Sequence, residues 1–384
     1  MPGPANHPMK ARGDILANCT RWIHGHGRRR PKEALADLVT AVNSSELADG
    51  YGQGKIIREF EDDVAGLLGH EAGLFLPSGT MAQQIALRLH CERQGVRTVA
   101  YHPTCHMEIN EQRGLLHVHN VRSRLVGEPW RLITKADLEE VTEPVAALLL
   151  ELPQRWIGGQ LPSREALEEQ VALARERGWK LHLDGARLWE SAPFYGCEVD
   201  RLASLFDTVY VSFYKGLGGI AGALLAGPKS FIDEARVWLR RVGGNLIHLY
   251  PYVISARAGL QKRGDRFARY TERARELAAV LNGIDGLVTR PKVPHTSLFH
   301  TFVRGEADIV LEEALKISAD TGVALFGWAR GTDMPGHCWF EWQIGDAAEE
   351  IEDGEVAELF QRLMDAVDAR MAEREAGESE EAGR

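Results

Sequence analysis

Two stretches decide how this chain is read: Leu181-His182-Leu183-Asp184-Gly185-Ala186-Arg187, and Ser212-Phe213-Tyr214-Lys215-Gly216-Leu217-Gly218-Gly219. Lys180 to Leu183 reads as a short strand ending at Asp184, and Thr208 to Ser212 as another, three positions before Lys215. Runs of this length and character read as strands of a buried sheet. In an open α/β sheet the ligand crevice lies outside the carboxyl ends of the strands. Asp184 and Lys215, 31 positions apart, therefore project toward one crevice.

The chain has ten lysines, and only Lys215 sits between two aromatic residues and a glycine-rich segment. A desolvated lysine gives up its proton more readily. The neutral amine it becomes is what a Schiff base needs. A carboxylate below a pyridinium nitrogen keeps that nitrogen protonated and the ring electron-poor. Asp184 and Lys215 suit those two jobs around pyridoxal phosphate (PLP). Either residue alone is more simply a helix cap or a loop lysine, so the pair carries the reading.

A third piece lies upstream. Ala72 to Leu76 reads as a strand, Pro77-Ser78-Gly79-Thr80 as a tight turn, and Met81 to Glu92 as a helix. Glycine lets the backbone turn sharply, and the helix start offers free N–H groups and a positive dipole end. With the Ser and Thr hydroxyls this makes a phosphate cradle. S-G-T also marks ordinary helix caps, and it gains weight from its place at a strand's carboxyl end.

The alternation continues along the chain. Strands are expected at Thr98 to Tyr101, Leu115 to Asn120, Val145 to Glu151 and Gly222 to Ala226. Helices are expected from His106 to Gly114 and from a Ser163 cap to Arg177. Pro31 to Leu47, with Leu35, Leu38, Val39 and Val42 on one face, and Glu59 to Leu68 read as further helices. The fold class is α/β, a mostly parallel sheet flanked by helices. After Pro228 come helices at Phe231 to Arg241, Tyr252 to Ile284, Asp308 to Thr321 and Ala347 to Ala369. Strands at Leu298 to Val303, Val323 to Phe326 and Trp339 to Ile344 complete a smaller α+β domain. The expected division is an N-terminal arm and helix (1–50) packing with the small domain, a large domain (51–250), the small domain (251–370) and a disordered acidic tail (371–384). Residues 1–20 are expected to form a loose arm.

Composition narrows the function. The chain has 384 residues, is 44% hydrophobic and 26% charged, and carries a net charge of −10. A general nucleic-acid binder would carry a basic excess. The charge is uneven: residues 1–32 hold seven Lys/Arg and one acid, whereas residues 341–384 hold fifteen acids and four Arg. Without that last segment the net charge is +1, so the acidic balance does not conflict with an anionic ligand near Lys215 and Arg187. Five scattered cysteines imply no disulfide framework and point to a reducing cytoplasm. The first residues lack the apolar run of a signal peptide. The longest Gly/apolar stretch, Leu217 to Gly227, spans 11 residues, where a membrane helix needs about 20. No membrane or nucleic-acid partner is expected.

On its motifs the chain resembles the threonine aldolase and β-eliminating lyase group of fold-type-I PLP enzymes. The carrying segments are Tyr51-Gly52, Leu76 through Gln83, His106 with Glu108, Glu151 through Gly158-Gly159-Gln160, His182 through Leu188, and Lys215-Gly216-Leu217-Gly218. The resemblance implies a large domain like that of aspartate aminotransferase. It implies that Lys215 holds PLP as a Schiff base, that Asp184 pairs with the pyridine nitrogen, and that Ser78, Gly79 and Thr80 bind the phosphate. It further implies that His106 stacks on the ring face and that Arg187 binds the substrate α-carboxylate. A homodimer or homotetramer with sites near subunit interfaces is the implied assembly.

Departures fall on the substrate side. The group's R-S-D-T-like start has no match around Cys19 to His26. Its D-I-H element is absent near Val141 to Val145, and its E-N-T-H run reads Glu151-Leu152-Pro153-Gln154. Its G-G-G-M-R segment reads Gly243-Gly244-Asn245-Leu246-Ile247, and the strand that usually bears a late carboxylate-binding Arg reads Trp339-Phe340-Glu341-Trp342. Arg155 and Arg330 are candidate substitutes. His106 is the leading base for the β-hydroxyl of the substrate, with pure ring stacking its alternative.

Other patterns carry less. His102, Cys105 and His106 with His117 and His119 fit no standard zinc spacing. Gly216-x-Gly218-Gly219 lacks the third correctly spaced glycine of a dinucleotide loop. Arg28-Arg29-Arg30 reads as a solvated or subunit-facing turn, and Trp189 as a candidate pocket wall. The expected activity is PLP-dependent cleavage of β-hydroxy-α-amino acids to glycine and an aldehyde. The alternatives are PLP-dependent β-elimination, giving an α-keto acid and ammonia, and a non-catalytic protein of the same fold.

Overall fold

The computed structural model of the chain describes residues 9–382. Seven strands make the main sheet: β1 (Ala72–Leu76), β2 (Thr98–Tyr101), β3 (Arg122–Leu125), β4 (Ala147–Glu151), β5 (Lys180–Gly185), β6 (Thr208–Ser212) and β7 (Ala223–Gly227). Their order is β1-β7-β6-β5-β4-β2-β3. Only β7 runs against the rest, pairing antiparallel with both β1 and β6. The carboxyl ends of the other six strands therefore share one edge. Register sets Glu151 beside Asp184 and Asp184 beside Tyr210. The central strands are buried over nearly all their length, with Lys180 exposed at the start of β5 and Glu151 partly exposed at the end of β4, as expected where both faces are covered by helices.

The helix Gly79–Gln94 lies against this sheet and buries Ala82, Ile85, Ala86 and Leu89 in the core. An aromatic group of Phe60, Phe75 and Phe213 adds to the same unit, with ring centroids 5.1 to 6.1 Å apart. Trp189 packs on Phe213 and is buried, a core position rather than an open pocket wall.

Behind the sheet, two buried histidines share one hydroxyl. His90 Nε2 and His182 Nδ1 each lie 2.8 Å from Thr208 Oγ1. Burial pushes both imidazoles down to about 3, from an ordinary 6.5. They are neutral in the fold and take up protons on unfolding. Their contribution is present above pH 6.5 and is lost as pH falls from there toward 3. The melting temperature should therefore fall on acidification through this window. In His182→Gln the slope of stability with pH should shrink by about one proton, measured by thermal unfolding from pH 7 to 4. An unchanged slope would remove His182 from the account.

The described chain forms two compact units, residues up to Arg29 with Arg269–Arg384, and Arg30–Ala268. The divisions fall near 29 and 268, where the sequence suggested 50 and 250. The first unit has a four-stranded antiparallel sheet of β8 (Leu287–Arg290), β9 (Leu298–Arg304), β10 (Arg330–Gly331) and β11 (His337–Gln343), in the order β10-β11-β9-β8. Phe299, Phe340 and Trp342 bury one face of it, and the helices Ala307–Thr321 and Asp353–Ala382 belong to the same unit.

Several sequence expectations need correction. Residues 1–8 of the expected arm lie outside the described residues, but Met9–Asn18 is a helix. The tail expected to be disordered continues the closing helix to Ala382, its Glu and Ala residues being good helix formers. Leu115 to Asn120 is not a strand. Gly114–His119 is a short helix bounded by left-handed Arg113 and Asn120, and the strand follows at Arg122–Leu125. Tyr252 to Ile284 is two helices, Tyr250–Arg263 and Phe267–Leu281, broken at Gly264-Asp265. Pro31–Ala41 is a helix that buries none of its residues. No helix among the described residues is long and apolar enough to cross a membrane.

Candidate active site

The turn after β1 is held by its own residues. Ser78 caps the helix Gly79–Gln94, its Oγ accepting from Met81 N at 3.3 Å. Its hydroxyl thus has an ordinary structural job beside any ligand contact. Gly79 is buried where a Cβ would lie 1.8 Å from Tyr210 Oη. Only glycine lets this turn lie against β6. Thr80 is exposed. Gly79→Ala must move Tyr210 or the turn, so a loss of about 1–3 kcal/mol in stability is expected. Thermal unfolding measures it; a variant as stable as the parent would contradict the packing argument.

Helix Gly79–Gln94 then reaches across to β5. Gln83 Nε2 donates to Asp184 Oδ2 at 2.8 Å, and the Ala186 N–H donates to Oδ1 at 3.1 Å. Asp184 is 2% exposed, so these two bonds fix a buried carboxylate at the strand end. Two donors leave capacity on the carboxylate for one more. The neighbouring Gln84 turns to another carboxylate, donating from Nε2 to Glu111 Oε2 at 2.8 Å. Glu111 Oε1 lies 3.1 Å from His106 Nδ1.

Lys215 follows β6 and is half-buried. Burial lowers its ammonium below the ordinary lysine value, the Arg187 guanidinium lowers it further, and Asp184 and Glu151 partly oppose both. Glu151, at the end of β4, is shifted the other way. Burial raises its carboxyl, the charge of Asp184 adds to the rise, and the Arg155 N–H bond at 3.2 Å opposes it. Gln154 Nε2 donates to its other oxygen at 3.2 Å. Arg155 also acts electrostatically on Lys215. Arg187, 8% exposed, starts the helix after β5, with Nε 3.6 Å from Glu190 Oε1 and making no hydrogen bond.

Asp184, Lys215, Arg187 and Glu151 thus act on one another's charge, and the Ser78-Gly79-Thr80 turn and His106 follow β1 and β2 at the same sheet edge. Sequence reading missed Gln83, Gln84 and Glu111, and gave Glu151 no role. Glu108, quoted beside His106, does not touch it: its Oε2 accepts from Tyr101 Oη at 3.1 Å and from Ser123 Oγ at 3.3 Å. His102 is used within its loop, with Nδ1 on Thr104 Oγ1 and Nε2 facing the carbonyls of Glu128 and Arg131. The glycines after Lys215 serve close packing: a Cβ on Gly216 would meet Glu190 Oε1 and Phe267 at 2.8 Å, and one on Gly219 the Phe213 carbonyl at 2.7 Å.

A glycine turn at a helix start, a clamped carboxylate and a destabilised lysine ammonium along the carboxyl edge of a mostly parallel sheet define the class as a lysine-centred α/β enzyme. More narrowly, the chain belongs to the beta-eliminating lyase family, whose model matches residues 31–303. A low-specificity L-threonine aldolase of Escherichia coli K12 is 31% identical over 255 residues, which is 63% of this chain and 72% of that protein. A crystal structure of a candidate L-allo-threonine aldolase from Listeria monocytogenes superposes with a TM-score of 0.89 at 42% identity, covering 93% of this chain and 99% of that one. A candidate aromatic amino acid beta-eliminating lyase/threonine aldolase from Exiguobacterium gives 0.88 at 43% identity, covering 93% and 100%.

Proposed function

We propose that this chain is a PLP-dependent carbon–carbon lyase that cleaves threonine-type β-hydroxy-α-amino acids to glycine and an aldehyde. The observation that carries the reading is the buried Asp184 carboxylate, clamped by Gln83 and the Ala186 N–H, on the strand beside the one that leads to Lys215. The residues fit PLP. The Ser78-Gly79-Thr80 turn offers helix-start N–H groups to a phosphate, and Gly79 leaves no Cβ in the way. Asp184 would meet the pyridine nitrogen, and Lys215 would carry the covalent link. Bound there, PLP supplies an electron sink for bonds at the substrate Cα.

The remaining work falls to side chains. Arg187 binds the α-carboxylate, the planar fork matching two oxygens. Fixing that group decides which bond at Cα stands ready to break. In the aldol cleavage the β-hydroxyl loses its proton as the Cα–Cβ bond breaks and the aldehyde carbonyl forms. Cα then gains a proton, giving glycine. His106 would lie against the cofactor ring and take the hydroxyl proton, directly or through water.

The names of the E. coli and Listeria relatives support this reading, and that of the Exiguobacterium relative keeps β-elimination as the second one. The purified protein with added PLP, given L-threonine or L-allo-threonine, should yield glycine and acetaldehyde in equal amounts. An α-keto acid with ammonia would support elimination instead, and no turnover with either product set would overturn both.

A homodimer or homotetramer fits the surface. The helix Pro31–Ala41 presents Leu35 and Val39 at 59% and 73% exposure, and Leu47, Tyr51 and Ile247 are also exposed. Exposed apolar side chains, where they gather into a patch, mark interaction surfaces. The cysteines are all unpaired, which fits a reducing cytoplasm. Sedimentation of the holoenzyme should show no monomer at micromolar concentration.

A further inference from the structure

The loop after β2 holds a buried acid that the function above does not use. His106 opens the short helix His106–Ile109, and Glu111 follows it by five positions. The Glu111 side chain is 1% exposed, whereas that of His106 is 29% exposed. One Glu111 oxygen faces His106 Nδ1 at 3.1 Å, and the other accepts from Gln84 Nε2 at 2.8 Å.

The surrounding backbone is shaped to keep this arrangement. Gln112 and Arg113, directly after Glu111, both adopt left-handed φ values of 51° and 57°, which non-glycine residues rarely do. Gly114 follows, and a Cβ there would lie 2.5 Å from Gln84 Nε2. The amide that clamps Glu111 therefore occupies space that a side chain at 114 would take. Gln84 also sits next to Gln83 on the helix that starts at the phosphate turn. One helix fixes two buried carboxylates through adjacent amides, Asp184 by Gln83 and Glu111 by Gln84.

A carboxylate is an acceptor only, so the imidazole nitrogen facing it carries the hydrogen. With Nδ1–H spent on Glu111, Nε2 is left as the basic nitrogen of His106. Once Nε2 takes a proton, the carboxylate stabilises the imidazolium, the role an orienting acid plays toward a general-base histidine. Ring stacking alone needs no fixed tautomer and no buried charge beside the ring. We propose that Glu111 is a positioning residue that holds His106 in its Nδ1–H form, so that Nε2 serves as proton acceptor for the substrate hydroxyl. The assignment rests on the placement of His106 in the proposed lyase site.

The test is Glu111→Gln in the holoenzyme, read by nitrogen-15 NMR of labelled histidines, with the His106 signals assigned by their loss in His106→Asn. The parent should show a protonated Nδ1 and a bare Nε2, and Glu111→Gln should lose that single form. Its kcat for aldol cleavage should fall about 10- to 100-fold, less than the roughly 10²- to 10⁴-fold contribution of a general base itself because His106 remains, with KM and the visible PLP absorption unchanged. Glu111→Asp should recover part of both. Should Glu111→Gln fail to fold, Gln84→Met frees the same carboxylate and should disturb the tautomer in the same way. A parent-like His106 signal in Glu111→Gln, or in Gln84→Met where that is the variant read, overturns the inference even if kcat drops. A parent that shows the tautomer but no aldolase turnover instead overturns the proposed function and with it the proton-acceptor role of Nε2, leaving only the hold of Glu111 on the His106 tautomer.

Discussion

Lys215→Ala is expected to bind PLP without covalent attachment and to lose kcat by on the order of 10⁴-fold or more, as removal of a covalent-catalysis residue does. The side chain is half-buried after β6, and burial together with the Arg187 charge lowers its ammonium below the ordinary lysine value. That lowering has a sign that can be checked. In cofactor-free parent protein, labelling of Lys215 by an amine reagent should rise with pH through a midpoint below the 10.5 of an ordinary lysine. The fold should survive the substitution, because no core contact depends on the amine and removing a half-buried ammonium relieves a desolvation cost. Visible absorption that borohydride removes should vanish in the variant. Its retention there would refute the lysine assignment.

Asp184→Asn should produce the second largest loss. The substitution keeps the shape but removes the charge, and the Gln83 amide then meets an amide where it met a carboxylate. Removing one preorganised electrostatic partner typically costs about 10²–10³ in kcat. PLP affinity should fall as well, since the pyridinium nitrogen loses its counter-charge. The electrostatics give an independent sign. Asp184 raises both Lys215 and Glu151, so both groups should titrate at lower pH in Asp184→Asn than in the parent. Upward movement of the Lys215 labelling midpoint would contradict the arrangement, whatever happened to kcat.

Much of this site was legible because it lies where sequence patterns are strongest. Asp184 ends one short strand-like run, and Lys215 stands three positions after another. Their shared edge follows from parallel topology, and the structure bears out that topology with β7 as the one reversed strand. The turn at Ser78-Gly79-Thr80 was visible because a strand-turn-helix signal surrounds it.

What the sequence hid were partners brought together across distance. Gln83 lies 101 positions from Asp184, and Gln84 lies 27 from Glu111, so no local pattern joins them. Glu111 was obscured by Glu108, which stands nearer His106 in sequence but turns to Tyr101. Leu115 to Asn120 misled for another reason. Six residues are too few to separate strand from helix by period, and the left-handed caps at Arg113 and Asn120 decide the matter without glycine to announce them. The apolar stripe of Pro31–Ala41 is not buried within the described chain, which fits its proposed use against a second copy.

The most direct test of the account is reductive trapping. The holoenzyme is treated with borohydride, digested, and its peptides mapped by mass. One pyridoxyl-phosphate adduct is expected, on the peptide that contains Lys215. An adduct on another of the chain's lysines, or none while the protein still cleaves threonine, would contradict it.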